Sequence, residues 1–258
     1  MKNVTLITGS SSGIGAALAW EFAANGFDLV LIARSINKLK ALSAKLQSQH
    51  GVLAKVIACD LADRNAAEKI FYQLQNEKVS VEILVNNAGF NVYGEFIHTD
   101  LEKELQMIEV MIASTTRLTK LFVKEMTILG RGKVLNICST GSFTPGPLDA
   151  VYQAAKAYML SFSEALQEEL RRTGVTVTAL CPGATETGFA RRANMSETRL
   201  FNGLTMAPES VAKIGFKATM KGKRCKTAGF FNKLLVFIIP FSPKVILLRV
   251  TRYLLSTT

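Results

Sequence analysis

The run Tyr152-Gln153-Ala154-Ala155-Lys156 places a phenol and an ammonium one helical turn apart on one face. A phenol in reach of an oxygen that alternates between carbonyl and alcohol can serve as its general acid and base, and a nearby ammonium favours the phenolate by charge. Ser139 stands 13 residues before Tyr152, just behind the apolar run Val134 to Ile137. From there its hydroxyl can hydrogen-bond a substrate oxygen as negative charge develops. Tyrosine and lysine are common enough that their spacing alone means little. Ser139 before the pair and Pro182-Gly183 after it make the constellation far more specific.

A second chemical signal lies at the N-terminus, where Thr8-Gly9-Ser10-Ser11-Ser12-Gly13-Ile14-Gly15 follows the strand-like Val4 to Thr8 and opens a helical stretch through Ala16, Ala17, Leu18 and Trp20. Strand, glycine loop and helix is the context a dinucleotide requires. The glycines let backbone turn sharply and approach a pyrophosphate, and the free N–H groups of the helix start complement its charge.

The elements that must hold these residues follow from the hydrophobic pattern. Apolar runs at Val4 to Thr8, Leu29 to Ala33, Ala54 to Cys59, Ile83 to Val85, Val134 to Ile137 and Val175 to Cys181 alternate with helical stretches. Continuous Val/Ile/Leu runs fit strands buried on both faces, and the helices supply the crossovers that parallel strands need. The pattern predicts an α/β fold, a Rossmann-type doubly wound parallel sheet in three layers, over residues 1–221, with a basic apolar extension at 222–258. Long helices are predicted from about Asp100 to Leu129, opened by a capping box at Thr99 and Glu102, and from about Ala150 to Arg172. The candidate residues all fall at the C-terminal ends of strands, the edge where ligands sit in such sheets.

With these residues in place the chain resembles the classical short-chain dehydrogenase/reductase family, whose members carry T-G-x-x-x-G-x-G at the first loop. Further matches follow in order: Asp60-Leu61, Asn86-Asn87-Ala88-Gly89, Ser139, Tyr152 with Lys156, and Pro182-Gly183 with Thr185 and Thr187, together spanning roughly residues 4 to 220. The resemblance implies hydride transfer between a nicotinamide cofactor and a carbonyl or secondary alcohol, with Ser139, Tyr152 and Lys156 catalytic and no metal. It implies a cofactor site of Gly9, Ser10, Ser12, Gly13, Ile14, Gly15, Asp60, Leu61, Asn87, Ala88, Gly89, Tyr152, Lys156, Pro182, Gly183, Thr185 and Thr187. In that pattern Asp60 meets the adenine, Asn87 and Gly89 shape the ribose side, and Thr187 holds the nicotinamide carboxamide.

The second strand ends in Ala33-Arg34-Ser35, without the acidic residue that accepts from the ribose 2′-hydroxyl of NAD. Arg34 can pair with a 2′-phosphate instead, with Ser10 and Ser35 as extra donors, so NADP(H) is favoured over NAD(H). One family position departs. The asparagine usual in the long helix is replaced by Met111, which cannot hold a relay water. Ser114 or Thr115 one turn on can substitute, or the relay runs through solvent, or the protein is a catalytically weak NADP(H)-binding sensor or scaffold.

Between Thr187 and Met206, the segment Gly188 to Met195 occupies the place where members of that family carry a substrate-covering loop, with Phe189, Met195, Leu200 and Phe201 apolar and Arg191 and Arg192 basic. Tyr93 and Phe143-Thr144-Pro145-Gly146-Pro147 are expected as further walls. The formal charge of +11 belongs to the tail: residues 210–258 hold 10 basic and no acidic residues, leaving 21 basic and 20 acidic before them. Such a tail reads first as packing on its own domain or a second subunit, and second as contact with an acidic membrane surface. A near-neutral core argues against nucleic acid. The four cysteines show no C-x-x-C spacing, and with no export signal evident at Met1-Lys2-Asn3 the expectation is a cytoplasmic protein with reduced thiols. By resemblance it forms a homodimer or homotetramer through the two long helices.

Overall fold

The computed structural model describes residues 1–203 and 205–257. Its centre is a parallel sheet of seven strands in the order β3-β2-β1-β4-β5-β6-β7. These are β1 (Val4–Thr8), β2 (Leu29–Ala33), β3 (Ala54–Ala58), β4 (Val81–Asn86), β5 (Gly132–Ile137), β6 (Val175–Cys181) and β7 (Cys225–Thr227). The strand order reverses between β1 and β4, which opens a crevice beyond their C-terminal ends. Side chains alternate across the sheet as the pleat requires, so Leu6, Val30 and Leu84 enter one core while Ile7, Leu31 and Val85 enter the other.

One core is closed by α1 (Gly13–Ala24), α2 (Ile36–His50) and α9 (Pro208–Met220). The other is closed by α3 (Ala66–Asn76), α4 (Leu101–Ile108), α5 (Thr115–Ile128) and α6 (Ala150–Glu169). Short helices α7 (Gly188–Arg192) and α8 (Arg199–Asn202) follow β6, and α10 (Phe230–Ile238) and α11 (Lys244–Leu255) end the chain. Among the described residues no helix is long and apolar enough to cross a membrane.

Three local features differ from the sequence expectation. The first long helix is interrupted by a π-helical turn at Glu109–Ser114, which puts Val110 and Met111 into the core. Its cap is Asp100, which accepts from Lys103 N–H at 3.1 Å, while the Thr99 hydroxyl turns to Phe96 O and Glu104 Oε1. No Thr99–Glu102 box forms, because aspartate is the stronger cap and stands one residue nearer the helix. Finally, β7 pairs with β6, so the extension predicted from residue 222 begins inside the sheet.

Candidate active site

The phosphate loop is held open by contacts that leave no room for side chains. Gly9 and Gly13 adopt φ of 65° and 57°, which glycine takes without strain. A Cβ on Gly9 would lie 2.8 Å from Ala88 Cα, and one on Gly15 would lie 2.5 Å from the Gly9 carbonyl oxygen. Asn87 fixes the loop from the neighbouring strand, donating through Nδ2 to Thr8 O at 2.9 Å and Gly9 O at 3.2 Å. The Thr8 hydroxyl donates to Val85 O and accepts from the N–H groups of Asn87 and Ala88, each at 3.0 Å. The loop is thus locked to β4, with Gly13 and Ile14 facing a cleft of about 790 Å³.

Of the catalytic and cofactor-binding residues predicted from sequence, all but Ser10 and Gly15 line this cleft. Ser10 is fully buried and its hydroxyl donates to Ile32 O at 3.3 Å, so it gives nothing to a 2′-phosphate. Ser11 faces the cleft in its place. Gly15 acts through the close approach just described. Arg34 and Ser35 stand exposed at the rim, and Lys38, one turn further along α2, adds a second cation that the sequence reading missed. Ser35 occupies the N-cap of α2 without a side-chain cap bond, which leaves its hydroxyl for a ligand.

The catalytic candidates meet at the cleft floor. Ser139 Oγ accepts from Gly141 N–H at 3.0 Å, so its own proton remains to be donated. Lys156 Nζ donates to Ile137 O at 2.6 Å and lies 5.7 Å from the centre of the Tyr152 ring. Burial pushes the Tyr152 phenol well above its ordinary value, and the negative charge of Asp149 adds to this. Burial lowers Lys156 to about 8. The Tyr152 shift runs opposite to the one expected from a neighbouring ammonium, because enclosure disfavours the charged phenolate. The phenol is protonated at neutral pH, the form that reduction of a carbonyl uses.

Beneath this floor Asn86 donates to Asn136 Oδ1 at 2.8 Å and Thr119 Oγ1 at 3.0 Å, and Asn136 donates to Ser163 Oγ at 2.8 Å. This buried chain ties β4, β5, α5 and α6 together and fixes the spacing of the site. A pair of asparagines reads as a turn in sequence, and only the fold shows one bracing the loop and the other bracing the sheet. Met111 is fully buried against Gly89, and neither Ser114 nor Thr115 lines the cleft. Those two hydroxyls therefore do not replace the missing asparagine.

Sequence reasoning also missed Asp149. It sits at the N-cap of α6 without a cap bond, almost fully buried in the cleft wall, and burial raises it to about 7 against the amides of Asn91 and Gln153. Phe189, Met195, Leu200, Phe201 and Arg192 line the cleft as expected of a lid, and Arg191 does not. Thr144 forms a wall, but Tyr93 instead donates its hydroxyl to Leu255 O and Phe143 packs into the core.

A glycine cradle that a Cβ would fill, beside a helix N-terminus and opposite a serine, tyrosine and lysine, fits a nicotinamide dinucleotide. The family model described as short chain dehydrogenase matches residues 3–198. The chain belongs to the short-chain dehydrogenase family. It is 34% identical to 17-beta-hydroxysteroid dehydrogenase type 3 of Rattus norvegicus over 76% of its own length and 64% of that protein. It thus spans less than two thirds of that relative. It is 31% identical to the very-long-chain 3-oxoacyl-CoA reductase of Homo sapiens, over 98% of this chain and 80% of that one. Among solved structures, a short-chain dehydrogenase from Sphingobium yanoikuyae in complex with NADPH superposes with a TM-score of 0.80 at 32% identity, covering 87% of this chain and 86% of that one.

Proposed function

We propose that this protein is an NADP(H)-dependent reductase of a ketone carried on a large apolar skeleton, and in reverse a dehydrogenase of the secondary alcohol. The observation that carries the reading is the meeting of Ser139, Tyr152 and Lys156 with the glycine loop on one cleft whose far end is apolar. A bound nicotinamide supplies or accepts the hydride. Tyr152 gives its proton to the ketone oxygen as it becomes an alkoxide, and Ser139 donates a hydrogen bond to the same oxygen. Lys156, pinned by Ile137 O, places positive charge beside the phenol and favours proton release from it.

Arg34 and Lys38 at the rim, with no acid at the end of β2, support the 2′-phosphate of NADP(H) as the recognised group. The apolar end, lined by Phe189, Leu200, Phe201, Leu247 and Leu254, supports a steroid-like or long acyl ketone. The names of the two curated relatives point to substrates of those two kinds. Fully buried Met111 favours a second reading, a cofactor-binding sensor with slow turnover.

The test is NADPH and NADH oxidation at 340 nm across steroid ketones, 3-oxoacyl thioesters and small ketones, beside titration of both cofactors. Turnover with NADPH on the bulky ketones is the expected result. Tight NADPH binding with no turnover on any of them would transfer the assignment to the sensor.

A further inference from the structure

The helices that wall the apolar end of the cleft have a second face with no partner among the described residues. Inward, Leu235, Ile239, Leu247, Val250 and Leu254 line the cleft. Outward, Phe230, Phe231, Phe237, Phe241, Val245 and Ile246 are all more than half exposed, Phe230 at 76% and Phe241 at 77%. The phenylalanines cluster in pairs, with the rings of Phe237 and Phe241 5.7 Å apart. Isolated exposed apolar residues are ordinary, but a concentration of this kind marks a contact surface.

Several bonds show that this segment is held in place. Tyr93 donates to Leu255 O, Arg252 pairs with Glu95 at 3.0 Å, and Arg199 donates to Ser256 Oγ at 2.6 Å. Lys233 is exposed on α10 with Phe230, Phe231 and Phe237, Lys244 and Arg249 are exposed on α11 with Val245 and Ile246, and residues 210–258 contain 10 basic and no acidic residues.

We propose that the outer face of residues 230–255 docks on a membrane leaflet containing anionic lipid. The aromatic and aliphatic side chains enter the boundary between headgroups and acyl chains, and Lys233, Lys244 and Arg249 meet the headgroup charge. A second copy of the chain is the poorer occupant. A symmetric interface sets the same patch of both subunits together, and here it would set cations against cations with no carboxylate in the segment to pair them. Docked in this way, the cleft's apolar end lies beside the bilayer, and a membrane-dissolved ketone reaches it without crossing water. The docking itself does not depend on turnover, so its test is separate from the enzymatic one.

The full chain is sedimented with phosphatidylcholine vesicles, with and without phosphatidylglycerol, at low and high salt. Binding is expected on the phosphatidylglycerol vesicles and is expected to weaken in high salt. Lys244→Glu with Arg249→Glu should weaken it about thirtyfold or more, and Phe237→Ser with Phe241→Ser at least about tenfold. All four positions are exposed, so circular dichroism and NADPH affinity should match the parent protein. No sedimentation with phosphatidylglycerol vesicles, or sedimentation that neither variant changes, overturns the proposal. A solution dimer that the phenylalanine variant converts to monomer also overturns it and assigns the face to a second copy.

Discussion

Lys156 Nζ sits 5.7 Å from the centre of the Tyr152 ring and is fixed there by a 2.6 Å bond to Ile137 O. Its charge is therefore available to the phenol only while it holds a proton, and burial lowers that proton's pKa to about 8. Below pH 8 the ammonium supports proton release from Tyr152, and above it the support fades. The value of kcat/KM for ketone reduction should accordingly fall as pH rises through about 8. A profile that stays level well above that pH would show that the lysine charge is not what activates Tyr152.

Tyr152→Phe removes the proton donor and leaves the ring. Because general acid catalysis is worth roughly 100- to 10,000-fold, kcat should fall by at least about 100-fold. On the proposed reading the phenol acts on the substrate oxygen and the glycine loop meets the phosphates, so NADPH affinity by direct titration should be unchanged. A variant retaining most of its turnover would remove Tyr152 from the mechanism.

Arg34 and Lys38 are both exposed at the rim of the cleft, where the proposed function places the 2′-phosphate. A charge-assisted bond to phosphate contributes about 1.5–3 kcal/mol, so Arg34→Ala should weaken NADPH roughly ten- to hundredfold and NADH little. Lys38→Ala should act in the same direction with a smaller effect, since lysine meets phosphate as a point charge without the guanidinium's fork. Equal losses for the two cofactors would mean that neither residue reads the 2′-phosphate.

Much of this site was legible because its parts recur at strand ends in a fixed order. Strands such as Leu29–Ala33 announce themselves as buried apolar runs, and the glycine loop needs its small residues for reasons a sequence displays. What was not legible depends on contacts between distant segments. Ser10 and Ser11 are the same residue type one position apart, and only packing against Ile32 turns the first inward. Strand β7 is three residues long and is defined by its pairing with β6, not by its own pattern. The tail reads as amphipathic from its spacing, yet only the fold shows that one face walls the cleft while the other is bare.

Asp149 carries the fourth prediction. Its Oδ1 and the Oδ1 of Asn91 are buried without hydrogen-bond partners among the described residues, and a proton on Asp149 converts one of these acceptors into a donor. Burial accordingly raises its pKa from 3.8 to about 7. The sign of the effect on stability follows. Between these two values the folded chain holds a proton that the unfolded chain has released, so stability declines as pH rises from about 4 to about 7. Below that window the group is neutral in both states, and above it the folded state carries the full cost of a buried carboxylate. Asp149→Asn keeps the shape, supplies the donor and does not titrate. The difference in unfolding free energy between variant and parent, measured by urea denaturation, should shift by a few kcal/mol in the variant's favour from pH 4 to pH 8. If the two proteins show parallel pH profiles, Asp149 does not titrate with a raised pKa, and the buried wall beside Tyr152 is already ionised at neutral pH.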